Sequence, residues 1–491
     1  MHRAARRHAS ALTRRNTCAP CVYWSGNVVF KEGVQQGSVT VNPKGIIERC
    51  LPGQSVVAAK QWAVSKAYSF RNLGENNALS PGLIDVHAHI SELGRDWEGY
   101  TTATRAAAAG GITTLMGMPL NSIPATTSPE AVQMEVQASK ESQMYANVGL
   151  WGGVVPENAN SKDLEALLDT GVFGLKAFLS PLPEAAGFQG VSPDQLKTAA
   201  TLSGERSKPI LVHSELMTEK EQDDQVELCF QGKSRTSYQA HVNSRPVQWE
   251  QEAVKVVCSL VDRCSMHIVH LSDSGCLPII AETKNNHKNT RHQLTVETCP
   301  HYLLFDSSTI SDGETQLKCF PPIRDKKNRE TLWNMGISTG LIDMIASDHS
   351  PCEPHLRKIE LGNIKEAWGG LSGLQYQLPA TYSESSHRGF SLFSLATWWS
   401  ENPSKLIPGM QKQIGTIEVG KQADLCWWDP NYKGPPSSYQ KEYHRWTGTC
   451  YYSDMPLAGR VLGTWLGGVR VYDGEKDAHL EPVGNLMLSL Q

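Results

Sequence analysis

Short apolar runs rich in Val, Ile and Leu recur through the middle of the chain, at 82–89, 112–118, 148–155, 172–179, 209–215, 266–272, 294–299 and 342–348. Bounded runs of this length read as strands buried on both faces. Between them, stretches such as Asp163-Leu-Glu-Ala-Leu-Leu-Asp and Trp249-Glu-Gln-Glu-Ala-Val-Lys-Val-Val carry helical spacing. Strand then helix, repeated, predicts an α/β protein with a parallel sheet, and eight repeats predict closure as a (β/α)8 TIM-like barrel. The pattern changes at both ends. Residues 20–60 show short strands with turn signals, as in Val28-Val-Phe before Lys31-Glu-Gly. Residues 412–475 do the same, with Ala423-Asp-Leu-Cys-Trp-Trp and Val461-Leu-Gly-Thr-Trp-Leu-Gly-Gly-Val, and Pro430 to Tyr439 reads as a loop. The expected division is a small β-sandwich module from 18–78 and 412–491 beside a barrel over 79–411.

A chain of 491 residues accommodates such a barrel plus a module. The formal net charge of −4 marks no nucleic-acid or membrane partner, and no apolar run reaches the length of a spanning helix. Twelve cysteines without a dense pattern suit free thiols in a reducing compartment. Cys18 and Cys21 form a Cys-x-x-Cys, but no second pair at finger spacing occurs, so it reads as structural. Residues 1–17 stand apart: Arg3, Arg6, Arg7, Arg14 and Arg15 occur with no acid before Glu32. Wound as a helix, four of these arginines share a face opposite Ala5, Ala9 and Leu12, as in a mitochondrial presequence. Otherwise the stretch is a basic tail on a cytoplasmic protein.

Candidate chemistry begins at His87-Ala-His89, where the first strand run ends. Side chains at i and i+2 of a strand share a face, so the two imidazoles converge as nitrogen ligands for a divalent ion. In a barrel of this kind, catalytic groups gather at the C-terminal ends of the strands. The fifth run carries His213 and the sixth His270, each two residues before its end, and the eighth ends at Asp348; Lys176 lies inside the apolar fourth run. Singly, each has a structural explanation as a hydrogen-bonded core group or a helix cap. Together, at one rim, they point to a metal site. His301 comes after the seventh run as a candidate pocket lining, and His349 would point away from Asp348.

These residues resemble the binuclear amidohydrolase superfamily, in its cyclic amidase branch of allantoinases, hydantoinases, dihydropyrimidinases and dihydroorotases. Allantoinases are the most similar. The likeness is carried by His89-Ile-Ser-Glu-Leu-Gly-Arg, Trp97-Glu-Gly-Tyr, Gly110-Gly-Ile-Thr-Thr, Met118-Pro-Leu-Asn-Ser-Ile-Pro-Ala-Thr, Ser244-Arg-Pro, Glu297-Thr-Cys-Pro-His-Tyr, Pro321-Pro-Ile-Arg, Ser347-Asp-His-Ser-Pro-Cys and Ala367-Trp-Gly-Gly-Leu-Ser-Gly-Leu-Gln. It implies two divalent ions, zinc foremost, bridged by N6-carboxylysine at Lys176. By the same resemblance His87, His89 and Asp348 hold one ion, His213 and His270 the other, and Asp348 shuttles the proton. The implied activity is hydrolysis of allantoin to allantoate in purine breakdown, by a homotetramer.

Dihydroorotases carry an Arg two residues past the second histidine, where this chain has Ser91. Loss of that carboxylate clamp argues for an uncharged substrate. Hydantoinase or dihydropyrimidinase activity is the alternative; a noncatalytic scaffold is disfavoured because all six ligand positions are filled. Two departures stand out: Phe320 before the Pro-Pro pair, and the loop Ser180-Pro-Leu-Pro-Glu-Ala-Ala after Lys176.

Overall fold

The alternation of apolar runs with helical segments sets the architecture of the middle of the chain. The structure, a computed structural model, describes residues 17–159 and 162–489. The Arg-rich stretch before Thr17, and with it the presequence expectation, lies outside the described residues. Parallel strands run at Leu83–Ala88, Ile112–Gly117, Asn147–Leu150, Gly152–Gly153, Leu175–Phe178, Ile210–His213, Met266–Ile268, Leu294–Thr298 and Met344–Ile345. These segments occupy eight positions, because Trp151 divides the third. Asn147–Leu150 pairs with the second strand and Gly152–Gly153 with the fourth. The fully buried Trp151 indole donates to the Val86 carbonyl at 2.9 Å, where the register of the first two strands slips. The eighth position meets the first through a parallel bridge between His349 and Ala88, and the His89 N–H donates to the His349 carbonyl at 2.8 Å.

Helices Tyr100–Ala109, Pro129–Glu141, Lys162–Asp169, Pro193–Glu205, Val247–Cys258 and Leu277–Asn286 fall between successive strands. Their starts obey local rules. Ser128 and Ser192 accept the backbone N–H three residues on, each with a proline in the first turn, and Gln195 completes a capping box with Ser192. Gly111 turns the first of these helices into the second strand at φ +84°. A Cβ there would stand 2.5 Å from the Cys426 sulfur, so glycine alone fits.

The chain ends build one sheet together. Its strands are Cys21–Phe30, Gly33–Val41, Ile47–Pro52, Ser69–Asn72, Ala78–Pro81, Leu425–Gly434, Leu457–Leu466, Val469–Asp473 and Ala478–His479. Tyr23 and Trp465 lie on strands three steps apart in this sheet, about 14 Å if it were flat. Their rings meet edge to face at 5.2 Å, so the sheet coils back over its own core. The segment expected as a loop from Pro430 is partly strand. Pairing slips after Asp429 and resumes at Lys433 and Gly434, and the chain leaves the sheet only beyond Gly434. A final short strand, Leu486–Met487, leaves this sheet and pairs in parallel with Asn147–Leu150. Cys18 and Cys21 are free thiols at the sheet's start; Cys18 donates to the Asn42 carbonyl at 3.2 Å and burial pushes the Cys21 thiol up to about 11. Among the described residues no helix is long and apolar enough to cross a membrane.

Candidate metal centre

The first strand delivers His87 and His89 to one end of the parallel sheet, and the eighth delivers Asp348 to the same place. One ligand atom from each of the three lies within 4.8 Å of the others, and all three are buried. Nε2 of His87 is 3.2 Å and Nε2 of His89 is 3.4 Å from Asp348 Oδ1. A buried carboxylate joins the two strand ends behind them: Asp85 Oδ1 accepts the N–H groups of His87 at 3.2 Å and Ser347 at 3.1 Å. Burial raises the Asp85 carboxyl to about 6. Asp348 at φ +46° and His270 at φ +39° both leave their strands through the left-handed region, which non-glycine residues adopt only under constraint. Burial favours protonation of Asp348, but the imidazoles of His87, His89 and His270 override it and hold the carboxyl well below its usual range.

The fifth and sixth strands supply a second donor pair. His213 Nδ1 and His270 Nε2 face each other at 2.9 Å. Nε2 of His213 donates to Glu215 Oε2 at 2.8 Å, which leaves its Nδ1 with a lone pair directed at His270. The His213 ring also stacks on Phe178 with centroids 4.6 Å apart. Burial lowers the pKa of His89, His213 and His270, which favours the neutral imidazole, the form able to ligate an ion.

Two buried glutamates orient these rings. Glu297, at the end of the seventh strand, accepts from His87 Nδ1 at 2.5 Å, His267 Nε2 at 3.0 Å and the His270 N–H at 3.2 Å. The bond to Nδ1 fixes the His87 tautomer with Nε2 free, the arrangement by which a carboxylate prepares a metal-binding histidine. Glu215 plays the same part for His213 and is itself gripped by Arg245, whose Nε and Nη2 reach its two oxygens at 3.0 and 2.5 Å. Burial pushes Glu215 up, but Arg245 and His213 prevail and keep it ionised. Arg245→Ala should therefore cost about 3–5 kcal/mol, because Glu215 is left as a buried, half-paired charge. Denaturant unfolding would measure it, and a loss below about 1 kcal/mol would show that the pair is not the support described.

Lys176 lies between the two donor sets. It is fully buried, its amine has no hydrogen-bond partner among the described residues, and its charge is within electrostatic reach of Asp348, His89, His213 and His270. Burial brings the ammonium down to about 8, which makes the neutral amine accessible near neutral pH.

All six residues singled out in the sequence thus fall at one end of the sheet. Glu297, Glu215, Arg245, Asp85 and His267 were missed as supports. A signal existed for two of them: Glu215 continues the period of His213 along its strand, and Glu297 closes an apolar run. His349 does point away from the donor cluster, toward Glu98. His301 is buried against Tyr302 with ring centroids 4.2 Å apart. Phe320 packs between Arg245 at 4.8 Å, Lys318 at 5.5 Å and the His241 ring at 5.4 Å. Gly369 makes room for it, since a Cβ there would stand 2.4 Å from the Phe320 ring. The unusual loop after Lys176 closes on the second strand's loop, with the Asn121 N–H donating to the Ala186 carbonyl at 3.2 Å.

Glu442, His444 and Cys450 also bring ligand-type atoms within 4.8 Å of one another. There His444 Nε2 accepts the Gln375 N–H and Nδ1 faces Glu442, so both ring nitrogens are already engaged. This cluster is a structural hydrogen-bond group.

A domain description, the Amidohydrolase family, matches residues 78–471, and the chain belongs to that family. Its relatives narrow the placement to the allantoinase branch that the motifs resemble. "Allantoinase" of Arabidopsis thaliana is 39% identical over 482 residues, 95% of this chain and 91% of that one. "Allantoinase, mitochondrial" of Aquarana catesbeiana is 43% identical over 330 residues, 66% of this chain and 64% of that one. Among solved structures, the L-hydantoinase (dihydropyrimidinase) from Arthrobacter aurescens superposes with a TM-score of 0.83, covering 96% of this chain and 100% of that one. At 23% identity that likeness speaks for the fold alone.

Proposed function

We propose that this protein hydrolyses the ring amide of allantoin to allantoate at a centre of two divalent ions held by His87, His89, Lys176, His213, His270 and Asp348. The observation that carries the reading is that two donor sets interact with the fully buried amine of Lys176, which has no hydrogen-bond partner among the described residues. Such an amine is costly as an ammonium and reactive as a free base. It adds carbon dioxide to form an anionic carbamate, N6-carboxylysine, able to serve both ions. Neutral imidazoles with carboxylates suit zinc. When bound, the ions supply charge that polarises the ring carbonyl and acidifies water.

The chain's own residues do the rest. Asp348, kept ionised, takes a proton from the attacking water as the new C–O bond forms. It returns that proton to the ring nitrogen as the C–N bond breaks, so charge balances over the cycle. The Gly370 N–H donates to the Lys318 carbonyl at 2.7 Å, bringing segments 319–322 and 368–370 side by side as a backbone cradle for the substrate amide. Ser91 is buried with its hydroxyl unpartnered among the described residues, where dihydroorotases place a cation. That favours uncharged, ureido-rich allantoin over an acid.

We read the eight parallel positions as a closed barrel over 79–411, supported by the His349–Ala88 bridge, and the segments 18–78 and 412–491 as a sandwich-like module, whose coiled nine-stranded sheet also takes in the strand Ala78–Pro81 at the boundary. Residues 1–17 are proposed as a mitochondrial presequence, with a basic tail on a cytoplasmic protein as the alternative, and the assembly as a homotetramer. Purified protein offered allantoin, dihydroorotate and dihydrouracil in parallel should form allantoate and leave dihydroorotate intact. Opening of dihydrouracil alone would move the protein to the hydantoinase and dihydropyrimidinase branch.

A further inference from the structure

We propose that Glu98 and His349 are positioning residues for the metal centre, and that the C-terminal segment 441–446 completes it by docking on them. This rests on the reading of His87, His89 and Asp348 as ion ligands. His349 directly succeeds Asp348 in the chain, and its carbonyl accepts the His89 N–H at 2.8 Å. Its backbone is bridged to Ala88 on one side and Leu371 on the other. Whatever fixes His349 therefore fixes the two neighbouring ligands, one of which sits at φ +46°. A strained backbone of that kind persists only where the surroundings overdetermine it.

The His349 ring is fixed on three sides. Nδ1 accepts the Gly373 N–H at 3.2 Å, so the proton is on Nε2, which donates to Glu98 Oε2 at 3.1 Å. Both side chains are fully buried. The other oxygen of Glu98 accepts the Arg445 N–H at 3.0 Å, and the His444 ring stacks on His349 with centroids 5.0 Å apart.

Segment 441–446 in turn grips both ligand-bearing loops. Gln375, beyond the eighth strand, donates to the Lys441 carbonyl at 2.7 Å and accepts the Tyr443 N–H at 2.8 Å. The Trp446 indole donates to the Asp96 carbonyl, in the loop after the first strand, at 2.7 Å. A carboxylate held by two fixed donors, buried between a ligand's neighbour and a distant segment, couples the module to the centre.

The test uses full-length metal-loaded protein carrying Glu98→Ala or His444→Ala, read by chelator competition, by kcat and KM separately, and by thermal unfolding. Glu98→Ala should weaken ion retention about 10–100-fold and lower kcat by a similar factor, with KM within about twofold. His444→Ala, which removes the stacked face together with the ring's contacts to the Gln375 N–H and Glu442 but leaves the Glu98–His349 hydrogen bond in place, should move retention the same way by several-fold, and decides the matter if Glu98→Ala does not fold. Unchanged ion retention in folded variants, even with a lowered melting temperature, would reduce the pair to a structural staple. A parent protein that holds no divalent ion would overturn the underlying centre itself, a distinct outcome read before any substrate is added.

Discussion

Lys176→Ala is expected to give a folded protein that keeps at most one tightly held divalent ion per chain and opens allantoin at least about a thousand-fold more slowly than the parent, the scale of losing one of two cooperating cations. The folding part of this expectation comes from burial. The amine is inside an apolar strand with no hydrogen-bond partner among the described residues, so its removal relieves a desolvated group and leaves a small cavity beside Phe178. The catalytic part comes from position. Without that side chain the pair His213 and His270 loses the group proposed to join it to His87, His89 and Asp348. A short carboxylate such as formate, supplied in excess, should enter the space and restore part of the turnover. Ion content by elemental analysis and allantoate formation check both halves. Full metal content with undiminished turnover would leave Lys176 as a buried structural residue.

Glu297→Ala should be nearly as damaging, though Glu297 is not among the proposed ligands. Three N–H groups converge on it, from His87, His267 and the backbone of His270. Deletion leaves three buried donors unpaired at about 1–3 kcal/mol each, so a stability loss of at least about 3 kcal/mol is expected. Ion affinity should fall about 10–100-fold, because the His87 tautomer is no longer specified. Glu297→Gln retains one accepting oxygen and should fall between. Unfolding in denaturant, with and without saturating zinc, separates the two effects: added ion should recover much of the affinity-linked part and none of the packing part.

The sequence displayed the strand ends well because period and composition there are local. Eight apolar runs, each buried on both faces, leave little choice but a parallel sheet, and an ionisable residue at the end of such a run is conspicuous. His87, His89, His213, His270, Asp348 and the misfit Lys176 were all visible in this way. Their supports were not, since Glu297 serves a histidine 210 positions earlier and Arg245 a glutamate 30 positions away. Nothing in a local window pairs them. The division of the third strand by Trp151, the resumed pairing at Lys433 and the pairing of Leu486–Met487 with the third of the parallel strands were equally hidden. Each is settled by tertiary packing that overrides the local pattern. Phe320 was legible as a departure but not as a solution: only the cleared space at Gly369 shows how the ring is accommodated.

The most direct test of the two-ion centre is turnover of allantoin as divalent ion is titrated back into metal-free protein. Allantoate formation should be negligible without ion and rise mainly with the second equivalent per chain, as a shared site requires. Turnover that persists without ion, or that saturates at the first equivalent, would contradict the two-ion centre; ion binding at two equivalents without allantoate would contradict the substrate.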